Sequence, residues 1–182
     1  MHLRSIVFVL LALASRFVSA GSVDVNLSNE TIEAKLYVNA TTADWVFGIL
    51  HNRDQEDWAA SAGLLSAGES AFAGSRIEGG LGGKIYGVSA SNSDVLALAL
   101  GFQARWFPGN GPFALTAYAF YAPRVVTLAD GTQFFDMGLR AEFEVMKNSY
   151  VYIGYRQMRT ELDNNIKVDL DKGGFAGIQI KF

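Results

Sequence analysis

The stretch Phe135–Val145, FDMGLRAEFEV, sorts its residues by parity. Phe135, Met137, Leu139, Ala141, Phe143 and Val145 are apolar, whereas Asp136, Gly138, Arg140, Glu142 and Glu144 are small or charged. A helix would scatter the two sets around its circumference, whereas a strand sends odd and even positions to opposite sides. The stretch therefore predicts a strand with one apolar and one charged face. The same period recurs outward from it. Leu96, Leu98, Leu100, Phe102, Ala104 and Trp106 alternate with Ala97, Ala99, Gly101, Gln103 and Arg105. Ile32, Ala34, Leu36 and Val38 alternate with Glu33, Lys35, Tyr37 and Asn39, and Ala176, Ile178, Ile180 and Phe182 alternate with Gly177, Gln179 and Lys181.

Turn signals between these runs place ten strands, near 22–28, 31–39, 43–51, 57–66, 76–87, 94–107, 113–122, 132–145, 149–160 and 173–182. Several reach the ~9–11 residues a tilted strand needs to cross a bilayer. Connections in the second half alternate in length: PGNGP at Pro108–Pro112 is tight, PRVVTLADG at Pro123–Gly131 is longer, and MKNS at Met146–Ser149 is short. Asp163–Lys172 is expected in the longest loop. Outer-membrane barrels alternate short periplasmic turns with long external loops, and an even strand number leaves both termini in the periplasm. The segment near Gly68–Gly74 is long for a short turn, so eight strands is the alternative to the preferred ten.

Met1–Arg4 is positively charged, Ile6–Ala14 is an apolar run, and Val18–Ala20 supplies the small residues of a cleavage site. Residues 1–20 thus read as a signal peptide, leaving 21–182 as one barrel domain. As a helix the apolar run would span only ~14 Å, about half the ~30 Å hydrocarbon core. There is no cysteine, which excludes a lipid-anchored mature chain, a disulfide framework and thiolate chemistry. Of the 15 Lys and Arg residues, Arg4 and Arg16 lie in the leader, leaving 13 against 18 acidic residues, a poor balance for nucleic acid.

Soluble barrels alternate too, but they put the apolar face inside, and membrane barrels invert this. Inversion is favoured by apolar faces nearly free of charge and by aromatics near strand ends: Trp45, Trp58, Trp106, Phe107, Phe113 and Tyr150. The closing stretch also favours it, because Ile178, Ile180 and Phe182 form the pattern expected of an assembly signal. Pairing of that strand with SVDVNLSN would remove both sheet edges, as hydrocarbon requires. The expected fold is an all-β, transmembrane, antiparallel up-and-down β-barrel. Its expected surroundings are outer-membrane lipid and lipopolysaccharide, reached through the periplasm and the barrel assembly machinery, with the barrel a monomer.

The blocks GSVDVNLSNET at the mature start, GGLGGKIYG in the centre, VYIGYR at Val151–Arg156 and GGFAGIQIKF at the close resemble the YfaZ family of small outer-membrane proteins. The similarity covers essentially the whole mature chain. It implies an outer-membrane barrel and carries over no catalytic or binding residues.

Parity assigns Glu33, Lys35, Arg76, Glu78, Lys84, Arg105, Asp136, Arg140, Glu142, Glu144, Arg156 and Lys181 to the lumen. An eight- to ten-stranded barrel is narrow enough for side chains to fill, and unpaired charges there are costly. An ion-paired filling is the expectation, with a structural role or a narrow passage for small ions or solutes as its function. Two other readings compete. One is a hydrolase acting on lipid or peptide with His51 as general base, near Asp54, Glu56 and Asp57. It lacks a Gly-x-Ser-x-Gly or similar nucleophile motif. The other is a soluble periplasmic barrel binding an apolar ligand. No cofactor or metal site is expected. Gly79, Gly80, Gly82 and Gly83 lack a following Lys-[Ser/Thr] and helix, and fit close strand approach instead. Glu161, Asp163, Asp169 and Asp171 lack the glycine and closing glutamate of an EF-hand, and read as a solvated loop.

Overall fold

The structure, a computed structural model, describes residues 21–66, 68–72, 74–90, 93–129, 131–162 and 167–182. The leader lies outside them. Twelve strands follow in order: β1 (Gly21–Ser28), β2 (Thr31–Asn39), β3 (Ala43–Asn52), β4 (Trp58–Ser66), β5 (Gly68–Phe72) and β6 (Ser75–Ala90). Then come β7 (Ser93–Phe107), β8 (Phe113–Ala122), β9 (Thr127–Ala129), β10 (Gly131–Met146), β11 (Ser149–Leu162) and β12 (Lys167–Lys181).

Two of the twelve continue a neighbour across an interruption. Both β4 and β5 pair with β6, through Leu65–Gly82 and then Gly68–Gly79. Both β8 and β9 pair with β7, through Leu100–Tyr121 and then Val95–Ala129. The wall is therefore a ring of ten antiparallel positions. In the long segment near Gly68–Gly74, Gly68–Phe72 is strand paired with Ser75–Gly79, which resolves the choice in favour of ten. The ring closes where Ser22–Ser28 of β1 pairs with Lys181–Phe175 of β12. Gly21 and Phe182 exchange two backbone hydrogen bonds of 2.9 Å each. With β6 also paired to β7, the ten positions close on themselves, which an isolated hairpin could not achieve.

The faces sort as the parity demands. Leu100, Leu81, Ile153, Leu139 and Phe143 are exposed on the outside, at 68%, 71%, 69%, 57% and 50%. Arg105, Asp136, Arg140, Glu142 and Arg156 are buried inside.

Three expectations need correction. Asp163–Lys172 is not one long loop, because β12 already begins at Lys167. A register shift between Met158 and Arg159 lets β12 run alongside β11 to the rim. Asp171 turns inward, Asp169 bonds Arg159, and Asp163 lies outside the described residues, so Glu161, Asp163, Asp169 and Asp171 do not form one solvated acidic loop. Phe107 and Tyr150 are not part of an outer aromatic rim. Both are buried inside, packed by the Arg105 guanidinium, whereas Trp45, Trp58, Trp106 and Phe113 face outward.

The glycine run in β6 has a mixed origin. A Cβ at Gly80 or Gly82 would lie 1.7 Å from the Ser66 carbonyl oxygen or 2.0 Å from that of Leu64. These positions demand glycine for close approach of β4. Gly83 does not, since its nearest neighbour would be Leu100 Cδ2 at 3.4 Å.

Candidate functional site

The interior divides into two sectors. Strands β1, β2 and β10–β12, with β7 and β8, carry the charges. Strands β3 and β4 and the far ends of β6–β8 carry Val46, Leu50, Ala59, Leu65, Val88, Val95, Ala97 and Phe120, in one apolar cluster with Phe134, Met158 and Leu170.

In the charged sector, two guanidinium groups each join two acids. Arg156, 1% exposed, bonds Glu33 and Asp171, with Nε donating to Asp171 at 2.7 Å. Glu33 also holds Lys35 at 2.9 Å and accepts from Asn26 at 2.8 Å. Thr31 donates to Asp171 at 3.0 Å. Nearer the end that carries Gly21 and Phe182, Arg140 Nε donates to Glu142 at 2.8 Å and its Nη1 to Asp24. Arg105 and Thr116 meet the same Glu142, and Tyr152 donates to Asp24. Aromatic rings cover the flat faces of the cations. Arg105 lies 4.2 Å from the Tyr150 centroid, Arg140 4.4 Å from Tyr152, and Arg156 5.2 Å from Phe175. Planar guanidinium suits this double duty, in-plane bonds to carboxylates and stacking on a ring.

At the boundary of the sectors the pairing changes. Tyr86 donates to Asp136 at 2.8 Å. Lys84, 3% exposed, has no ion pair among the described residues; its Nζ sits 4.0 Å from the Phe120 centroid. Lys84 and Asp136 are thus opposite charges inside one low-dielectric interior, each held by aromatic neighbours.

Eight of the twelve residues assigned to the lumen lie within this interior: Glu33, Lys35, Lys84, Arg105, Asp136, Arg140, Glu142 and Arg156. The other four, Arg76, Glu78, Glu144 and Lys181, lie towards the mouth at the end that carries the termini. Glu78 there meets Arg76 at 3.2 Å and Lys181 at 3.7 Å, and a cavity of about 480 Å³ is lined by Arg76, Phe107, Glu144 and Tyr150.

Sequence reasoning missed Asp24, Asp171, Tyr86, Tyr118 and Tyr152. Asp24 was within reach: Ser22, Asp24 and Asn26 share one parity in SVDVNLS, and all three are buried. Asp171 was hidden by the register shift. The tyrosines were hidden by their type, because an aromatic ring in a membrane strand reads as lipid-facing.

His51 stacks on Trp58 with ring centroids 4.1 Å apart, and its Nδ1 has no hydrogen-bond partner among the described residues. Asp57 is buried, and Asp54 and Glu56 sit exposed in the turn between β3 and β4. Ile178 and Ile180 on the outer face of β12, and Phe182 just past its end, lie half-exposed.

The family model described as YfaZ precursor matches residues 1–182, the whole length. The chain belongs to the YfaZ family. No curated protein matches it. A precursor description accords with a leader that is removed on export. The chain is a small closed barrel whose inner wall is polar and ion-paired over one sector and apolar over the other.

Proposed function

We propose that the mature chain is an integral outer-membrane barrel of Gram-negative bacteria, its interior filled and braced by ion pairs, with a structural role or a narrow passage for small ions or solutes. The sidedness of the wall carries this reading. Large apolar side chains stand out around the ring, while Asp24, Glu142 and Arg156 are at 0–1% exposure inside. Water outside such a wall would face far more contiguous apolar surface than soluble monomers expose. Lipid outside reverses the sign of that cost, and strands paired around a closed ring bond one another's backbone groups, as hydrocarbon requires. In this reading the termini lie in the periplasm, lipid and lipopolysaccharide surround the wall, and the assembly machinery inserts the barrel as a monomer.

The test is migration on semi-native gels. The folded barrel should run at a different position unheated and boiled, and a protein recovered monomeric from detergent-free periplasm would overturn the reading. Conductance of refolded protein in a planar bilayer then tests the passage. Silence from heat-modifiable protein assigns the structural role, and discrete steps assign a water path along the Arg105–Glu142–Arg140 sector. The hydrolase reading rests on His51 alone, which is stacked on Trp58, with no Gly-x-Ser-x-Gly motif beside it.

A further inference from the structure

The mouth at the end that carries the termini holds charges of both signs around one cavity. Its volume of about 480 Å³ falls in the range of small-molecule sites, about 300–1,000 Å³. Arg76 of β6, Phe107 of β7, Asn110 of the following turn, Glu144 of β10 and Tyr150 of β11 line it.

Cations gather on the two rings. Arg76 lies 4.2 Å and Arg105 5.0 Å from the Phe107 centroid. Arg105 and Lys181 lie 4.2 Å and 5.4 Å from that of Tyr150. The acids that serve them are shared. Glu78 meets both Arg76 and Lys181, and Glu142 meets both Arg105 and Arg140. Arg105 is buried, yet its Nε has no hydrogen-bond partner among the described residues. A buried donor is costly to leave unpaired, so an acceptor that reached it over Phe107 would be held by Arg105 and Arg76 together. A simple anion is disfavoured, because Glu144 stands in the same lining. Glu144 accepts a hydrogen bond from the Asn148 backbone N–H at 3.0 Å and has no ion pair among the described residues. It suits an ammonium group.

We propose that this mouth binds a dipeptide with free termini, its carboxylate between Arg76 and Arg105 and its ammonium on Glu144. Strands β6, β7, β8 and β10 lie side by side, so Arg76 and Glu144 stand three strand spacings apart, about 14 Å of wall. Side chains reaching in from both ends close part of that span. The remainder suits the roughly 7 Å reach of two residues, whereas both charges of a single amino acid sit on one carbon. The site belongs to the mouth whatever surrounds the wall; in the membrane reading it opens to the periplasm.

The experiment titrates L-alanyl-L-alanine into the refolded mature protein by isothermal titration calorimetry, with strand content checked by circular dichroism. Saturable binding is expected. The C-terminal amide and the N-acetyl dipeptide should each bind about tenfold more weakly, as loss of a charge-assisted hydrogen bond implies. Arg76→Ala should weaken the dipeptide by a similar factor. Glu144→Gln should erase the difference between the free and the N-acetylated forms. Neither side chain is buried, so both variants are expected to fold. No saturable binding by folded wild type overturns the proposal. So does acetate that binds as tightly as the dipeptide, which leaves a plain anion site, and so does binding that both variants leave unchanged. The same binding by protein recovered soluble without detergent would keep the site and overturn only the membrane reading.

Discussion

Two stretches of the wall, on opposite sides of the ring, solve the same problem differently. Along β10, β11, β12 and β1, the outer row Phe143, Val151, Ile178, Val25 is bulky throughout, and the inner face is charged and cross-bonded. Along β3, β4 and β6, the outer face is hollowed by Ala60, Ala62, Gly83 and Gly87, and the inner face presents Val46, Leu50, Ala59 and Leu65. One side is held by directional bonds between partners far apart in sequence, the other by shape. A buried pair tolerates no loss of a partner, whereas an apolar contact degrades in proportion to the volume removed.

That contrast can be broken at graded strength. The largest effect is expected for Arg156→Met, which leaves Glu33 and Asp171 buried without their shared cation. Loss of one partner of a buried pair costs about 3–5 kcal/mol. Urea unfolding of the refolded barrel in lipid should show it, and a midpoint equal to wild type would mean that water already reaches this cluster. On the apolar side, Leu50→Ala should cost about 2–4 kcal/mol by leaving a cavity beside Ala59 and Val46. A loss below that of a surface substitution would show that the interior there is loose. Deleting Phe182 removes its two hydrogen bonds to Gly21 at the seam. It should reduce the assembled fraction in cells while leader cleavage proceeds, read by heat-modifiable migration of the membrane fraction; normal assembly would show that the seam is not what the machinery reads. The smallest effect is expected for Arg159→Ala. Its pair with Asp169 stands about one-third exposed, and such pairs contribute about 0–1 kcal/mol. A loss as large as that of Arg156→Met would erase the distinction between rim and interior.

Residue type shaped how much of this was readable. Strand positions follow from parity and turn signals, as FDMGLRAEFEV and AGIQIKF show, because a strand has only two faces; the inside-out sidedness also needed the charge-free apolar faces and the closing aromatic strand. Parity also placed Arg105, Arg140, Glu142 and Arg156 inside. It failed where the chain departs from strict alternation. Leu170 and Asp171 are adjacent and both buried, since the register shift by Met158 turns the face of β12 between them. It failed again where type misleads, as for Tyr86, Tyr118 and Tyr152, whose rings pack inside against buried cations or acids.

The sequence by itself determined an antiparallel up-and-down ring, the apolar outside, the charged inside and membership of the YfaZ family, because each depends on local period or on the order of short blocks, whereas the choice of ten positions over eight came from the pairing of β4 and β5 with β6. Only the tertiary structure decided who pairs with whom. Arg156 meets Glu33 across 123 positions of sequence, and Tyr152 meets Asp24 across 128. It alone also set Ala60 beside Gly87, because a row such as Ile49, Ala60, Gly87, Leu96 exists only once four strands are brought into register. Closure of the ring sets those distances, and no local pattern encodes them.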